Sequence, residues 1–371
     1  MPAPFGPTHR GGWRGLQGLQ HRCEKRALCR TLAGSVVVCD PQLARTALVD
    51  KAGRLQHEPA FWRVGADPLP DNLRARLNQW VFARLADEDP TRSAGIAIDR
   101  VVAGSDDLHH LCLHAVADAM AGPLGFDDDP ELDQIVRWFI DAIFLTLVTG
   151  SARRANRQVF RRIRAAATDH LARRTDVLPD EVSKYRVSGQ PVTGEVYLRA
   201  VTAFVGAPAM SLAWLIRALY VTPLVAARRV PDQPESPCDA PAEAVALEVL
   251  RLWPPAWQFR RRVLHDHPIG SLKVLRGDEV VIPVYALQRH PAHWADPDRF
   301  DPRRWIGAPR RPAPFLPFAA GPGACPGATF EVRWLAAATT LLRDAHPITV
   351  VGRTRRPCVT AVLSPPRAHV G

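Results

Sequence analysis

The opening residues lack an apolar core and carry Pro, Gly, Arg and His instead, so no secretory leader is expected. The sequence also lacks a long hydrophobic run. The most apolar charge-free stretch, Ala200 to Ile216, is 17 residues long, sits between Arg199 and Arg217 and is broken by Gly206 and Pro208. That is shorter than the roughly 18–20 residues a bilayer crossing requires, so the expectation is a buried central helix and no membrane. Cysteine is sparse and uneven: seven residues, an odd number at irregular spacing, suggest no disulfide framework and fit a reducing cytoplasm. No Gly-x-Ser-x-Gly elbow and no Walker loop is present. The pair Gly321-x-Gly323 interleaves with prolines and lacks the strand-to-helix setting of a dinucleotide site.

Acid is in deficit. Lys and Arg number 48 against 37 Asp and Glu, a formal charge of +11. Such a balance is compatible with nucleic-acid binding, but the arginines are dispersed. The densest run, Arg153 to Arg164, falls on an expected helix and reads as a solvated face, so no nucleic-acid partner is expected. A basic surface also suits an acidic electron-transfer protein or an acidic carrier domain, by steering their encounter. The 371 residues exceed the usual single-core size and allow two domains, yet no low-complexity linker or internal repeat divides them.

Periodicity predicts mostly helices. Asp40-Pro41 opens one through about Ala52, with an N-cap followed by proline. Others are expected over Asp106 to Met120, Glu131 to Val148, Arg153 to Arg174, and Glu195 to Tyr220 after Thr193-Gly194. Strand-like segments are short: Gly34 to Cys39, Glu279 to Val284, Ile348 to Val351 and Val359 to Leu363. His110-x-x-x-His114 with Cys112 offers metal-ligand spacing on a helix, but Asp106, Asp107 and His109 beside it favour a polar surface.

What is distinctive lies near the C-terminus. Pro317-Phe318-Ala319-Ala320-Gly321-Pro322-Gly323-Ala324-Cys325-Pro326-Gly327 presents one cysteine in a tight, glycine-rich loop, and a helix-like stretch, Ala328 to Leu342, follows at once. A cysteine at a helix N-terminus has its thiol pKa lowered by the dipole. A thiolate held this way is a good axial ligand for haem iron, with Phe318 able to lie against the porphyrin. A buried structural cysteine in a turn is the plainer alternative.

Two further segments bear on that choice. Glu248 and Arg251 share a helix face within Pro241 to Trp253, a helix that stops before Pro254-Pro255. Their setting is apolar, and a buried pair there needs a further partner for the guanidinium; a solvated surface pair is the common case. Trp294 to Trp305 then forms a Pro-punctuated meander rich in aromatics and arginine.

In this order the Glu-x-x-Arg helix, the aromatic-Pro-Arg meander and Phe-x-x-Gly-x-x-x-Cys-x-Gly resemble the cytochrome P450 family. The resemblance is close over about Val196 to Arg367, loose from Pro41 to Leu171 and almost absent before. It implies one mainly α domain with small β clusters over residues 1–371, shortened at its N-terminus, and haem b (iron protoporphyrin IX) as cofactor. Cys325 is then the iron ligand, shielded by Phe318, with Gly321 and Gly327 shaping the loop. Glu248 and Arg251 are expected to lock to Arg299 or Arg303 as a structural network. Arg261 follows Pro254-Pro255 at the spacing of a haem propionate contact. Trp80 and Arg84 resemble the Trp-x-x-x-Arg helix that supplies another, although an ordinary amphipathic helix has the same spacing.

The chain departs from the family at two places. Where members carry a small residue, Gly, any residue, an acid and an alcohol, it reads Val205-Gly206-Ala207-Pro208-Ala209-Met210-Ser211. Pro208 takes the acid's place and Ala209 the alcohol's, keeping a kink while losing the proton relay; Ser211 restores it if the register slips by two. Gly323 stands where His or Arg often meets a propionate. The expected activity is oxidation of a small organic molecule, a tailoring step in natural-product biosynthesis, with electrons from a ferredoxin- or flavoprotein-type donor. Atypical chemistry (aryl coupling, desaturation, peroxide-driven oxidation) and a haem-binding or recruitment protein without turnover are the alternatives.

Overall fold

A computed structural model describes residues 10–31, 34–56, 62–64, 67–103, 107–149, 153–174, 176–221, 240–307 and 312–344. The strands expected over Ile348 to Val351 and Val359 to Leu363 lie outside them. The longer helices are α1 Arg10–Lys25, α2 Pro41–Val49, α3 Asp71–Ala86, α4 Pro90–Ala103, α5 Leu108–Ala119, α6 Pro130–Thr149, α7 Arg153–Leu171, α8 Thr193–Tyr220, α9 Ala242–Leu252 and α10 Ala328–Asp344. They fall into two compact units, one built on residues 1–60 and 233–325, the other on 61–232 and 326–360.

The first unit is organised by a five-stranded sheet. Its strands are β1 Leu28–Arg30, β2 Val36–Val38, β3 Leu55–Gln56, β4 Phe259–Val263 and β5 Glu279–Ile282, in the order β1-β2-β5-β4-β3. β2 and β5 pair in parallel, with Val36 opposite Val280 and Val37 opposite Val281; the other neighbours are antiparallel. Side chains alternate across a strand. Val36, Val38, Val280 and Ile282 therefore enter one core with Leu48 and Leu316, while Val37 and Val281 face Cys23, Cys39 and Ala286 on the other side. Three of its strands come from the first 56 residues, and of these only β2 falls on an expected segment, Gly34 to Cys39. β1 and β3 are too short to leave a period-2 signature.

On that second face Cys23 and Cys39 form a disulfide between α1 and the end of β2, with Cα atoms 4.8 Å apart. This corrects the expectation of no disulfide. The two cysteines are 16 residues apart, and only the hairpin of β1 and β2 brings them together.

α2 starts as its sequence dictates: the Asp40 carboxylate accepts from the Leu43 N–H, and Pro41 occupies the first turn. It ends at Val49 rather than Ala52, because Asp50 turns left-handed at φ 33°.

In the second unit α8 is the centre. By length and composition it could cross a bilayer, but 83% of its apolar stretch is buried inside the protein. Tyr197 and Trp214 are fully enclosed. At its start Gly194 abuts α7 so closely that a Cβ would stand 2.5 Å from the Arg164 carbonyl. The helix is not uniform: π-helical turns occupy Thr202–Gly206 and Arg217–Val221, with α-helix Ala207–Ile216 between. The first widened turn sits directly before Pro208, whose missing N–H and ring bulk an unbroken α-helix does not accommodate.

Candidate haem-thiolate site

The Glu-x-x-Arg pair is buried, not solvated. Glu248 and Arg251 both have 0% exposure. Arg251 Nε and Nη2 donate to Glu248 Oε2 and Oε1, each at 2.8 Å. The remaining donors reach backbone carbonyls: Nη1 those of Gln288 (2.8 Å) and Pro297 (2.7 Å), Nη2 that of Arg299 (3.1 Å). The guanidinium also lies 5.1 Å from the Trp294 ring centroid. Glu248 in turn accepts from the Asp301 N–H (2.9 Å), the Trp305 indole (3.0 Å) and Arg304 Nε (3.1 Å). A buried charge pair is tolerable because its hydrogen-bonding capacity is met in this way.

The expected partners need correction. The guanidinium that meets Glu248 belongs to Arg304, one residue beyond Arg303. Arg299 contributes its backbone carbonyl, not its side chain. Asp301 caps the 3-10 turn Pro302–Trp305 by accepting from the Arg303 N–H. That turn aims Arg304 and Trp305 at α9.

Gln288 was not anticipated and joins the network to the cysteine loop. Its amide donates to the carbonyls of Leu250 and Arg251, and its oxygen accepts from the Leu316 N–H at 2.8 Å. Nothing in its sequence neighbourhood marks it, since its three partners are 28 to 38 residues away.

The loop itself is fixed by backbone. The Cys325 N–H donates to the Phe318 carbonyl at 2.9 Å, and the Ala324 N–H to that of Gly321 at 3.0 Å. Gly321 has φ +67°, and a Cβ there would stand 2.6 Å from Val49 Cα, so α2 and the loop approach as only glycine permits. Cys325 is exposed and Phe318 half-buried. A Cβ on Gly323 would meet Arg261 Nη2 at 3.3 Å. The buried Arg261, carried on β4, therefore holds its guanidinium where the family often has a basic side chain on the loop. Gly327 closes the first turn of α10 by accepting from the Glu331 N–H.

In the second unit Trp80 and Arg84 share a face of α3. The Trp80 indole packs 5.8 Å from Phe204 of α8, and its N–H is buried without a partner. Arg84 lies 5.9 Å from the Trp80 ring centroid and donates to the Asp176 carbonyl. On α8, Gly206, Pro208 and Ala209 are all buried. Ser211 is fully buried and returns its hydroxyl to the Ala207 carbonyl at 3.3 Å, as Thr202 does to Leu198 at 2.8 Å. Ser211 also faces Glu331 of α10.

The loop fits a haem: it presents an exposed sulfur donor with a guanidinium beside it. A family model for cytochrome P450 matches residues 242–343, the stretch that carries Glu248, Arg251, Phe318 and Cys325. The fold agrees with it over most of the chain: the structure of cytochrome P450EX alpha with myristic acid superposes with a TM-score of 0.64, covering 90% of this chain and 87% of that one at 17% identity. Over residues 242–343 the chain is similar to the cytochrome P450 family. Its fold is the P450 fold, mainly α with small sheets, and haem b is the cofactor this likeness implies. Among curated P450 relatives, mouse thromboxane-A synthase is 36% identical over 107 residues, 28% of this chain and 20% of that protein. Human cytochrome P450 4V2 is 40% identical over 93 residues, 24% of this chain and 18% of that protein. The matching stretch thus spans about a fifth of the curated relatives' length.

Proposed function

We propose that the whole chain, 1–371, works as one haem-thiolate monooxygenase acting on a small organic molecule, with Cys325 as the iron ligand. The observation that carries this reading is the fixed loop: an exposed thiol whose own N–H is tied to Phe318, with the Arg261 guanidinium at Gly323. Arg261 holds a propionate. Phe318 shields the sulfur; Gly321 and Gly327 set the loop's entry and exit. Haem bound here supplies reductive activation of dioxygen. The Glu248–Arg251–Arg304 network is structural, holding α9 and the meander behind the loop.

The natural role is a tailoring step in natural-product biosynthesis, in the cytoplasm. Electrons come from a ferredoxin- or flavoprotein-type donor, and a basic chain of net charge +11 favours an acidic donor or an acidic carrier domain that presents the substrate.

A second reading rests on Pro208 and Ala209. Neither offers a carboxylate or hydroxyl, and the two alcohols nearest them on α8, Thr202 and Ser211, are bonded back to their own helix. Reactions that depend less on delivered protons, such as aryl coupling, desaturation or peroxide-driven oxidation, are favoured by this helix over routine hydroxylation.

The test is a titration of the purified holoprotein against a library of small aromatic and polyketide-like molecules, followed through the low- to high-spin absorbance shift. Compounds that shift the spectrum are then offered with reductant and a surrogate ferredoxin system, or with peroxide. Oxidised product supports the reading. A haem protein that binds none of them and consumes neither oxidant supports a recruitment role instead.

A further inference from the structure

We propose that His110, His114 and Asp141 form a binding site for a zinc-type divalent cation that clamps α5 to α6. The site lies wholly within the second unit and is independent of the haem assignment.

The spacing His-x-x-x-His puts two imidazoles on one face of α5, one turn apart. Sequence supplies only these two, and its acidic neighbours suggested a polar surface. The fold adds the third group from 27 residues beyond His114: α6 carries Asp141 to the same point. Both Nε2 atoms lie 2.9 Å from the same oxygen, Asp141 Oδ1, and 3.2 Å from each other. With metal–ligand bonds of about 2.0–2.1 Å, a tetrahedral centre separates its ligand atoms by about 3.3–3.4 Å. The three atoms need to spread by only a few tenths of an ångström to admit the ion.

The surroundings suit a cation that keeps one open position. The side chains of His110 and His114 are 28% and 17% exposed and that of Asp141 is 47% exposed, so water can complete the coordination. Phe144 packs against His110 at 4.7 Å between centroids and fixes its ring. Arg137 is the nearby positive charge, 3.4 Å from His114 Nδ1, and it is offset by Asp118 at 2.5 Å and Asp133 at 2.9 Å. Cys112, two residues from His110, points to the opposite face and is fully buried; it is not a ligand. Two imidazoles and one carboxylate select a borderline ion such as zinc over calcium or magnesium.

The experiment uses untagged, haem-loaded protein washed with chelator and titrated with zinc chloride by calorimetry. The expected result is one equivalent bound with a Kd of roughly 10 µM or tighter. The double variant H110A/H114A should weaken binding at least about 100-fold, and D141N at least about tenfold. H293A, in a histidine pair of the other unit, should bind as the parent does. The haem absorbance of each variant reports its folding, and H110Q/H114Q replaces the alanine pair if that fails to fold. No saturable zinc binding by the parent, or undiminished binding by a folded double variant, overturns the proposal.

Discussion

Glu248 and Arg251 meet through two parallel hydrogen bonds of 2.8 Å with neither side chain exposed, and the Arg304 guanidinium bonds the same carboxylate at 3.1 Å. Removing one member strands a buried charge. Glu248→Ala and Arg251→Ala should each destabilise the fold by about 3–5 kcal/mol, a large share of a typical domain's stability. The checks are soluble yield and haem content. Arg304→Ala should lose holoprotein as well, because its guanidinium meets Glu248. Undiminished haem content in Arg304→Ala would contradict the assignment.

Glu331 gives a pH signature. Burial pushes its carboxyl up to about 7, an effect the Ser211 hydroxyl partly offsets. From its ordinary 4.5 up to about 7, the folded chain holds a proton that the unfolded chain has released. This contribution to stability is therefore complete below pH 4.5 and lost as pH rises through 7. The loss is on the order of 3 kcal/mol. Glu331→Gln should remove that slope, so its unfolding midpoint relative to the parent should rise between pH 5 and 8. A constant difference across that range would show that Glu331 does not titrate there.

Ala209 and Ser211 separate two versions of the distal helix. General acid catalysis by a positioned group is worth about 10²–10⁴-fold, and Pro208-Ala209 provides none. Ala209→Thr should keep its haem and change the ratio of product formed to reductant consumed. Ser211→Ala should change it little, since that hydroxyl bonds to Ala207 and faces Glu331. Collapse of turnover in Ser211→Ala, with no change in Ala209→Thr, would make Ser211 the working alcohol.

What the sequence made legible was local. The Cys325 loop, the Glu248–Arg251 spacing and the helix entry at Asp40-Pro41 each depend on residues within a few positions of one another. α5, α6 and α7 fall within a few residues of where periodicity puts them. What stayed hidden was the distant partner. Arg304 rather than Arg303 reaches Glu248 because a 3-10 turn rotates the meander. Cys39 finds Cys23 through a three-residue hairpin pairing, and Asp141 finds His110 and His114 through the packing of two helices. Gln288 reads as an ordinary polar residue until the backbone groups it satisfies converge on it.

The central claim is that Cys325 ligates haem iron, and the absorbance of reduced, carbon-monoxide-treated protein tests it most directly. The parent should show the long-wavelength Soret band of a thiolate-ligated haem. Cys325→Ala should abolish it and most haem retention, while single replacement of Cys23, Cys29, Cys39, Cys112, Cys238 or Cys358 should leave it intact. A thiolate-type spectrum that survives in Cys325→Ala would contradict the account.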